Sequence, residues 1–174
     1  PGPIPRVIGV SGRTEDSVKK FLSKIQQHKN DEEFLALVDQ VHAKNINGHF
    51  YRGYSVLKDE PITEVSMVSN DPRPICFVFS GMGSQWSGMA KDLMKLDVFR
   101  QSIERCSAAL KPHGVKNLED IIVNGTAETF DNILNSFVSI AAMQIALTDI
   151  LKIVGLEPDH IVGHSVGEVG MYHF

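Results

Sequence analysis

Cysteine is scarce in this chain, with Cys76 and Cys106 the only two among 174 residues. So few thiols, without paired spacing, exclude a disulfide framework and a thiolate metal cluster, and they fit a reducing, cytoplasmic setting. An excess of positive charge is also missing. With 17 Lys and Arg against 21 Asp and Glu, the formal net charge is −4, which gives no basis for neutralising the phosphates of a nucleic acid. No basic-then-apolar leader opens the chain, and no uninterrupted apolar run reaches the length of a bilayer span, so no membrane partner is expected. Repeats and low-complexity segments are lacking, and the longest acidic cluster, Asp31-Glu32-Glu33, reads as part of a helix start. What is present is the composition of a globular protein, 43% hydrophobic and 22% charged. That length suits one ordinary domain, or a small domain with part of another. Pro1 in place of Met leads to the expectation of an internal piece of a longer polypeptide, with processing or cloning as the alternatives.

The pattern along the chain changes once. Arg6 to Val10 is a β-branched run closed by Ser11-Gly12. Thr14 then caps a helix whose apolar face is Val18, Phe21, Leu22 and Ile25. Asn30 followed by Glu33 resembles a capping box for a second helix with Phe34, Val38 and Val41 inward. Phe50 to Leu57 and Glu64 to Val68 read as strands, so residues 1–72 form a small α+β unit. Asn70-Asp71-Pro72-Arg73-Pro74 marks a connector. Residues 73–174 follow an α/β pattern. Ile75 to Phe79 is the continuous apolar run of a parallel strand covered on both faces. A Gly-rich turn at Ser80 to Gly83 follows it, then helical patterns at Met89 and Leu93. The next helix is capped by Asp97, with Phe99, Ile103, Cys106 and Leu110 on one face, and is ended by Pro112 and Gly114. Ser136 to Val154 is apolar nearly all round, with Gln144, Thr148 and Lys152 as its polar stripe, and reads as a buried helix. His160 to Gly163 is a strand that enters a turn at Ser165.

Gly163-His164-Ser165-Val166-Gly167 has the G-x-S-x-G spacing of a nucleophile elbow, in which a Ser is exposed on a sharp strand-to-helix turn. The flanking glycines suit it because the turn leaves little room for Cβ atoms. The motif also occurs by chance, and its weight comes from the strand before it and the helical Glu168-Val169 after it. An oxyanion hole in such folds takes one backbone N–H from the residue after the nucleophile and one from a loop after an earlier strand. Val166 stands at the first position, and Met82, in Gly81-Met82-Gly83-Ser84-Gln85-Trp86, at the second. His164 is a poor general base, since neighbouring side chains on such a turn diverge. His28, His42, His49, His113, His160 and His173 have no acidic partner evident in the sequence, and no metal site is expected.

Arg73 to Met89 resembles the opening of the malonyl/acetyl transferase domain of animal fatty acid synthase. Leu96 to Ile103, Asn135 to Ser139 and Gly163 to Val169 extend the likeness, and residues 1–72 resemble the linker that joins ketosynthase to transferase. The resemblance implies an α/β fold in which a small α+β linker subdomain (1–72) precedes an incomplete α/β-hydrolase-like acyltransferase core (73–174). It implies a ping-pong transfer in which Ser165 takes the acyl group of malonyl-CoA or acetyl-CoA and passes it to the phosphopantetheine thiol of an acyl carrier protein. The N–H groups of Met82 and Val166 would hold the oxyanion. Gln144 and His164 become candidate substrate contacts, helix packing being the alternative for Gln144. CoA is a substrate, no cofactor is needed, and the neighbouring ketosynthase domain is a further partner.

The family also uses an Arg that pairs with the malonyl carboxylate and a catalytic His, both further along than Phe174. The closing Gly170-Met171-Tyr172-His173-Phe174 departs from its small-residue pattern. The expectation is therefore a chain inactive or nearly so by itself, because losing the base of a Ser–His pair costs about 10⁴-fold or more in rate. A serine hydrolase or thioesterase, and a non-catalytic interaction fragment, are the alternative readings.

Overall fold

The β-branched run near the N-terminus forms the first strand of an antiparallel sheet. The computed structural model describes residues 4–69 and 73–173, so the expected connector lies partly outside the described residues. By its contacts the chain divides into two compact units, Pro1–Pro72 and Arg73–Phe174.

In the first unit β1 (Arg6–Gly12) pairs with β2 (Tyr51–Leu57), and β2 with β3 (Ile62–Met67), in the order β1-β2-β3. One face of the sheet is covered by α1 (Glu15–Gln27) and α2 (Glu32–His42), which bury Val18, Leu22, Ile25, Leu35 and Val38 against Ile8 and Val10. The Thr14 side chain accepts the Ser17 N–H, as expected of the cap of α1. The second helix starts one residue later than its capping-box spacing suggests. The Asp31 carboxylate accepts the Phe34 N–H at 3.0 Å, and its charge suits the positive end of the helix better than the amide of Asn30. The inward face shifts accordingly to Leu35 and Val38, and Val41 is exposed.

The second unit is built around a parallel pair. Strand β4 (Cys76–Phe79) runs beside β5 (His160–Gly163), with Phe79 opposite Gly163. The crossover contains α3 (Asp97–Leu110), α4 (Leu118–Asn124), α5 (Ala127–Asp131) and α6 (Ile133–Ile153). Phe99 and Ile103 of α3, Leu118 and Ile122 of α4 and Ala142, Met143 and Ala146 of α6 form one core. After β5 comes α7 (Val166–Met171).

Three local expectations change here. Met89 and Leu93 lie in a turn and a short 3₁₀ segment, Leu93–Lys95, rather than an α-helix. Leu96, not Asp97, is the N-cap of α3; Asp97 pairs instead with Arg100 at 2.7 Å inside the first turn. Helix α6 begins at Ile133, because the Asn132 side chain accepts the Leu134 N–H at 2.9 Å. By length and composition α6 would pass for a membrane span, which the broken apolar run in the sequence does not suggest. Its inward side nevertheless lies in the core of this unit. The coverage expected of β4 is also incomplete, since Val78 is 74% exposed.

His42 and His49 are more than surface positions. The Ser11 N–H donates to His42 Nδ1 at 3.2 Å, and the Ser11 hydroxyl lies 2.9 Å from His49 Nδ1. Burial, then the nearby His49, hold the His42 pKa below its ordinary 6.5. Protonation is therefore disfavoured in the folded state. The stability associated with neutral His42 is present above pH 6.5 and falls as pH drops below it. A lower urea midpoint on acidification from about pH 7.5 to about pH 5.5, flattened by His42→Gln, is expected by circular dichroism. A pH-independent native midpoint would contradict it. The cap gives a second expectation: Asp31→Ala costs about 1 kcal/mol in the same assay and Asn30→Ala close to nothing.

Candidate active site

Ser165 sits where the chain must turn from strand to helix within one residue. The His164 N–H donates to the Phe79 carbonyl at 3.0 Å, extending the β4–β5 pairing to the edge of the turn. Ser165 then takes φ 57° and ψ −124°, and it is the one non-glycine residue at positive φ among the described residues. Such backbone is costly by about 1–3 kcal/mol and persists only where its surroundings over-determine it. Here the Gly167 N–H donates to the His164 carbonyl and the Glu168 N–H to the Ser165 carbonyl, both at 2.9 Å. A Cβ at Gly167 would lie 2.0 Å from the Phe79 carbonyl oxygen, so α7 approaches the end of β4 more closely than any side chain permits. The Ser165 side chain is left exposed at the tip.

The loop after β4 meets this tip. The Ser84 hydroxyl donates to the Gly81 carbonyl and the Gly83 N–H to Gln85 Oε1, each at 2.8 Å, which fixes the loop's shape. A Cβ at Gly81 would be 3.0 Å from Ser165 Cβ and 2.9 Å from the His164 carbonyl oxygen. The two sequence motifs, far apart in the chain, are therefore in contact. Among the described residues no acceptor takes the N–H of Met82 or of Val166. An exposed serine with unpartnered N–H groups on the residue after it and in the loop that touches it has the parts needed to attack a carbonyl and hold the oxygen that becomes negative.

Two other candidates border the same loop. His164 is exposed and its side chain flanks Gly81, with no hydrogen bond to Ser165. Gln144 turns its amide to the Ser80 carbonyl, Nε2 donating at 2.7 Å. Its carboxamide also comes close to Gly170 of α7. His160 and His164 stand four residues apart, a ligand spacing on a helix, but they occupy a strand and a turn. No group of three metal-ligating side chains occurs among the described residues.

An acid–histidine pair absent from the sequence reading is present at the far end of α7. His173 Nε2 lies 2.9 Å from Asp149 Oδ1, and Arg105 donates to the same carboxylate at 2.6 Å. Burial raises the Asp149 pKa, but hydrogen bonds from Ser102 and His173 and the charges of His173 and Arg105 outweigh it and hold the carboxyl below its usual range. His173 makes its side-chain hydrogen bond to Asp149 and none to Ser165. Asp149 escaped notice because it adjoins Thr148 in the polar stripe, and only tertiary packing brings Arg105 and His173 to it. Among the described residues no imidazole or carboxylate hydrogen-bonds the Ser165 hydroxyl.

The elbow geometry carries its own test. Ser165→Gly should be more stable than Ser165→Ala by about 1 kcal/mol, since only glycine accepts positive φ without strain. Gly167→Ala should destabilise by about 2–3 kcal/mol through overpacking against β4. Chemical denaturation of the three variants measures both, and equal stability of the Ser165 variants would contradict the strained turn.

Residues 76–173 match the acyl transferase domain family, and residues 1–56 match the ketoacyl-synthetase C-terminal extension. Among curated proteins, erythronolide synthase EryA3 of Saccharopolyspora erythraea is 29% identical over 190 aligned positions, covering 99% of this chain and 6% of that synthase. The chain thus spans a small part of the curated relatives it matches. The acyl transferase domain of ZmaA superposes with a TM-score of 0.72 over 97% of this chain and 43% of its own, at 19% identity, which is a likeness of fold. A malonyl-transacylase solved with its type II polyketide acyl-carrier protein is 26% identical, with a TM-score of 0.51, covering 56% of this chain and 31% of that one. The α/β core around Ser165, with its elbow and facing loop, is that of an acyl transferase, and the chain belongs to the acyl transferase domain family.

Proposed function

We propose that Ser165 is the nucleophile of a malonyl/acetyl transfer from CoA to an acyl carrier protein, in the fatty acid branch of the multidomain synthases. The observation that supports this reading is the contact between Gly81 and Ser165, with Met82 following the one, Val166 following the other, and neither N–H taken by an acceptor among the described residues. Ser165 Oγ bonds to the thioester carbon while the two N–H groups receive the oxyanion. The C–S bond then breaks, and CoA leaves as the thiol with the proton lost from Ser165. The carrier's phosphopantetheine thiol attacks the resulting ester and restores the serine. No cofactor enters. The proton acceptor comes from outside the described residues, as does a cation for the malonyl carboxylate. The carrier as acceptor is supported by the likeness to a transacylase solved with its carrier protein. The match to a ketoacyl-synthetase extension supports a ketosynthase neighbour, and the scarcity of cysteine suits a cytoplasmic protein.

A polyketide context is the second reading, favoured by the synthase relative. The fatty acid reading rests on the run from Arg73 to Met89 and its companions.

Incubation of the chain with malonyl-CoA or acetyl-CoA, followed by intact-mass and peptide spectrometry, should show slow acylation confined to Ser165. The rate should lie about 10⁴-fold below that of a transferase with its base in place. Ser165→Ala should abolish the adduct, and added holo-carrier protein should remove the acyl group from the native chain. Release of free acid with no transfer would favour a hydrolase, and no adduct at all a non-catalytic role.

A further inference from the structure

A single carboxamide beneath the elbow joins its two halves. Gln144, near the middle of α6, donates from Nε2 to the Ser80 carbonyl at 2.7 Å. Its Oε1 is buried and has no hydrogen-bond partner among the described residues. A Cβ built at Gly170 would fall 2.1 Å from that oxygen, so α7 has a glycine where the carboxamide passes beneath it. The Ser80 carbonyl also lies close to α7, since a Cβ at Gly167 would be 2.8 Å from its oxygen. Ser80 immediately precedes Gly81, the residue pressed against Ser165.

These contacts form a chain of constraints. Gln144 fixes the plane of the Ser80–Gly81 peptide, and that peptide aims the next one, which carries the Met82 N–H. The same side chain supports α7, whose first N–H is that of Val166. An apolar side chain would fill this space without leaving a buried oxygen unpaired. A polar group held there at that cost indicates that the bond to Ser80 is what the position provides.

We infer that Gln144 is a positioning residue for the oxyanion-binding pair, setting the distance between the Met82 and Val166 N–H groups without touching substrate. The role rests on the acyl-transfer reading of Ser165, but it can be measured without a CoA thioester. A fluorophosphonate reacts with a serine flanked by oxyanion donors, and its saturation kinetics separate the inactivation rate constant from the apparent binding constant. Gln144→Met keeps the side-chain length and removes the donor; Gln144→Glu keeps the shape and sets a carboxylate against the Ser80 carbonyl. Both should retain the native helical signal and lose about 10- to 100-fold in rate constant, with the binding constant unchanged. Gly170→Ala should slow labelling by a similar factor in the native chain and have a much smaller effect in a Gln144→Ala background, where the carboxamide is gone and only the residue-144 Cβ, 3.2 Å away, remains.

Native rate constants in folded Gln144→Met and Gln144→Glu would overturn the inference. So would additive effects of Gly170→Ala and Gln144→Ala, which decide the matter even if the first two variants do not fold. A native chain that resists the fluorophosphonate altogether also overturns it. Gln144-dependent labelling without acyl uptake from malonyl-CoA would leave the positioning role standing and refute the transfer reading.

Discussion

The close approach of α7 to the end of β4 is the constraint on which the second unit's chemistry depends. A parallel pair of strands delivers Phe79 and Gly163 side by side, and the His164 N–H closes onto the Phe79 carbonyl. From there the chain reverses into a helix within one residue, which forces Ser165 to positive φ. The strain is tolerated because Gly167 lets the helix rest against carbonyls with no intervening side chain. A serine held in this way is exposed and aimed by the sheet rather than by its own rotamer preferences. Its exposure, its strain and its place against the Gly81 loop thus share one origin.

Around that contact the unit divides its tasks. The core of Phe99, Ile103, Leu118, Ile122 and Met143 holds α3, α4 and α6 together. At the C-terminal end of α7, Asp149 of α6 bonds His173, and Gln144 of α6 passes close under Gly170 on its way to the Ser80 carbonyl. Neither contact supplies a base to Ser165. The first unit, a three-stranded sheet under two helices, is held by its own apolar cluster and its own polar group of Ser11, His42 and His49.

Much of the architecture was legible in the order of residues. The strand at Arg6, the Thr14 cap, the β4 run and the elbow strand all follow from local pattern, whereas α4 and α5 were not read from the sequence. Boundaries set by a single side chain were less legible. Asp31 displaced Asn30 as a cap because a carboxylate interacts with the helix N-terminus more strongly than an amide does. Asp97 turned to Arg100 instead of the backbone. Gln144 was legible as part of the polar stripe of its helix, but its partner, the carbonyl of Ser80, leaves no mark in a sequence.

By itself the sequence determined the serine of the elbow, the glycines around it and the second loop's glycines, because a tight turn restricts residue type at fixed spacing. The tertiary structure alone decided which distant groups meet. It placed Gly81 against Ser165, Gln144 on Ser80 and His173 on Asp149, and it left the Ser165 hydroxyl without a base among the described residues. The reason is physical: a turn is a local compromise of φ, ψ and Cβ volume, whereas a hydrogen bond between residues tens of positions apart exists only once the core has fixed the helices that carry them.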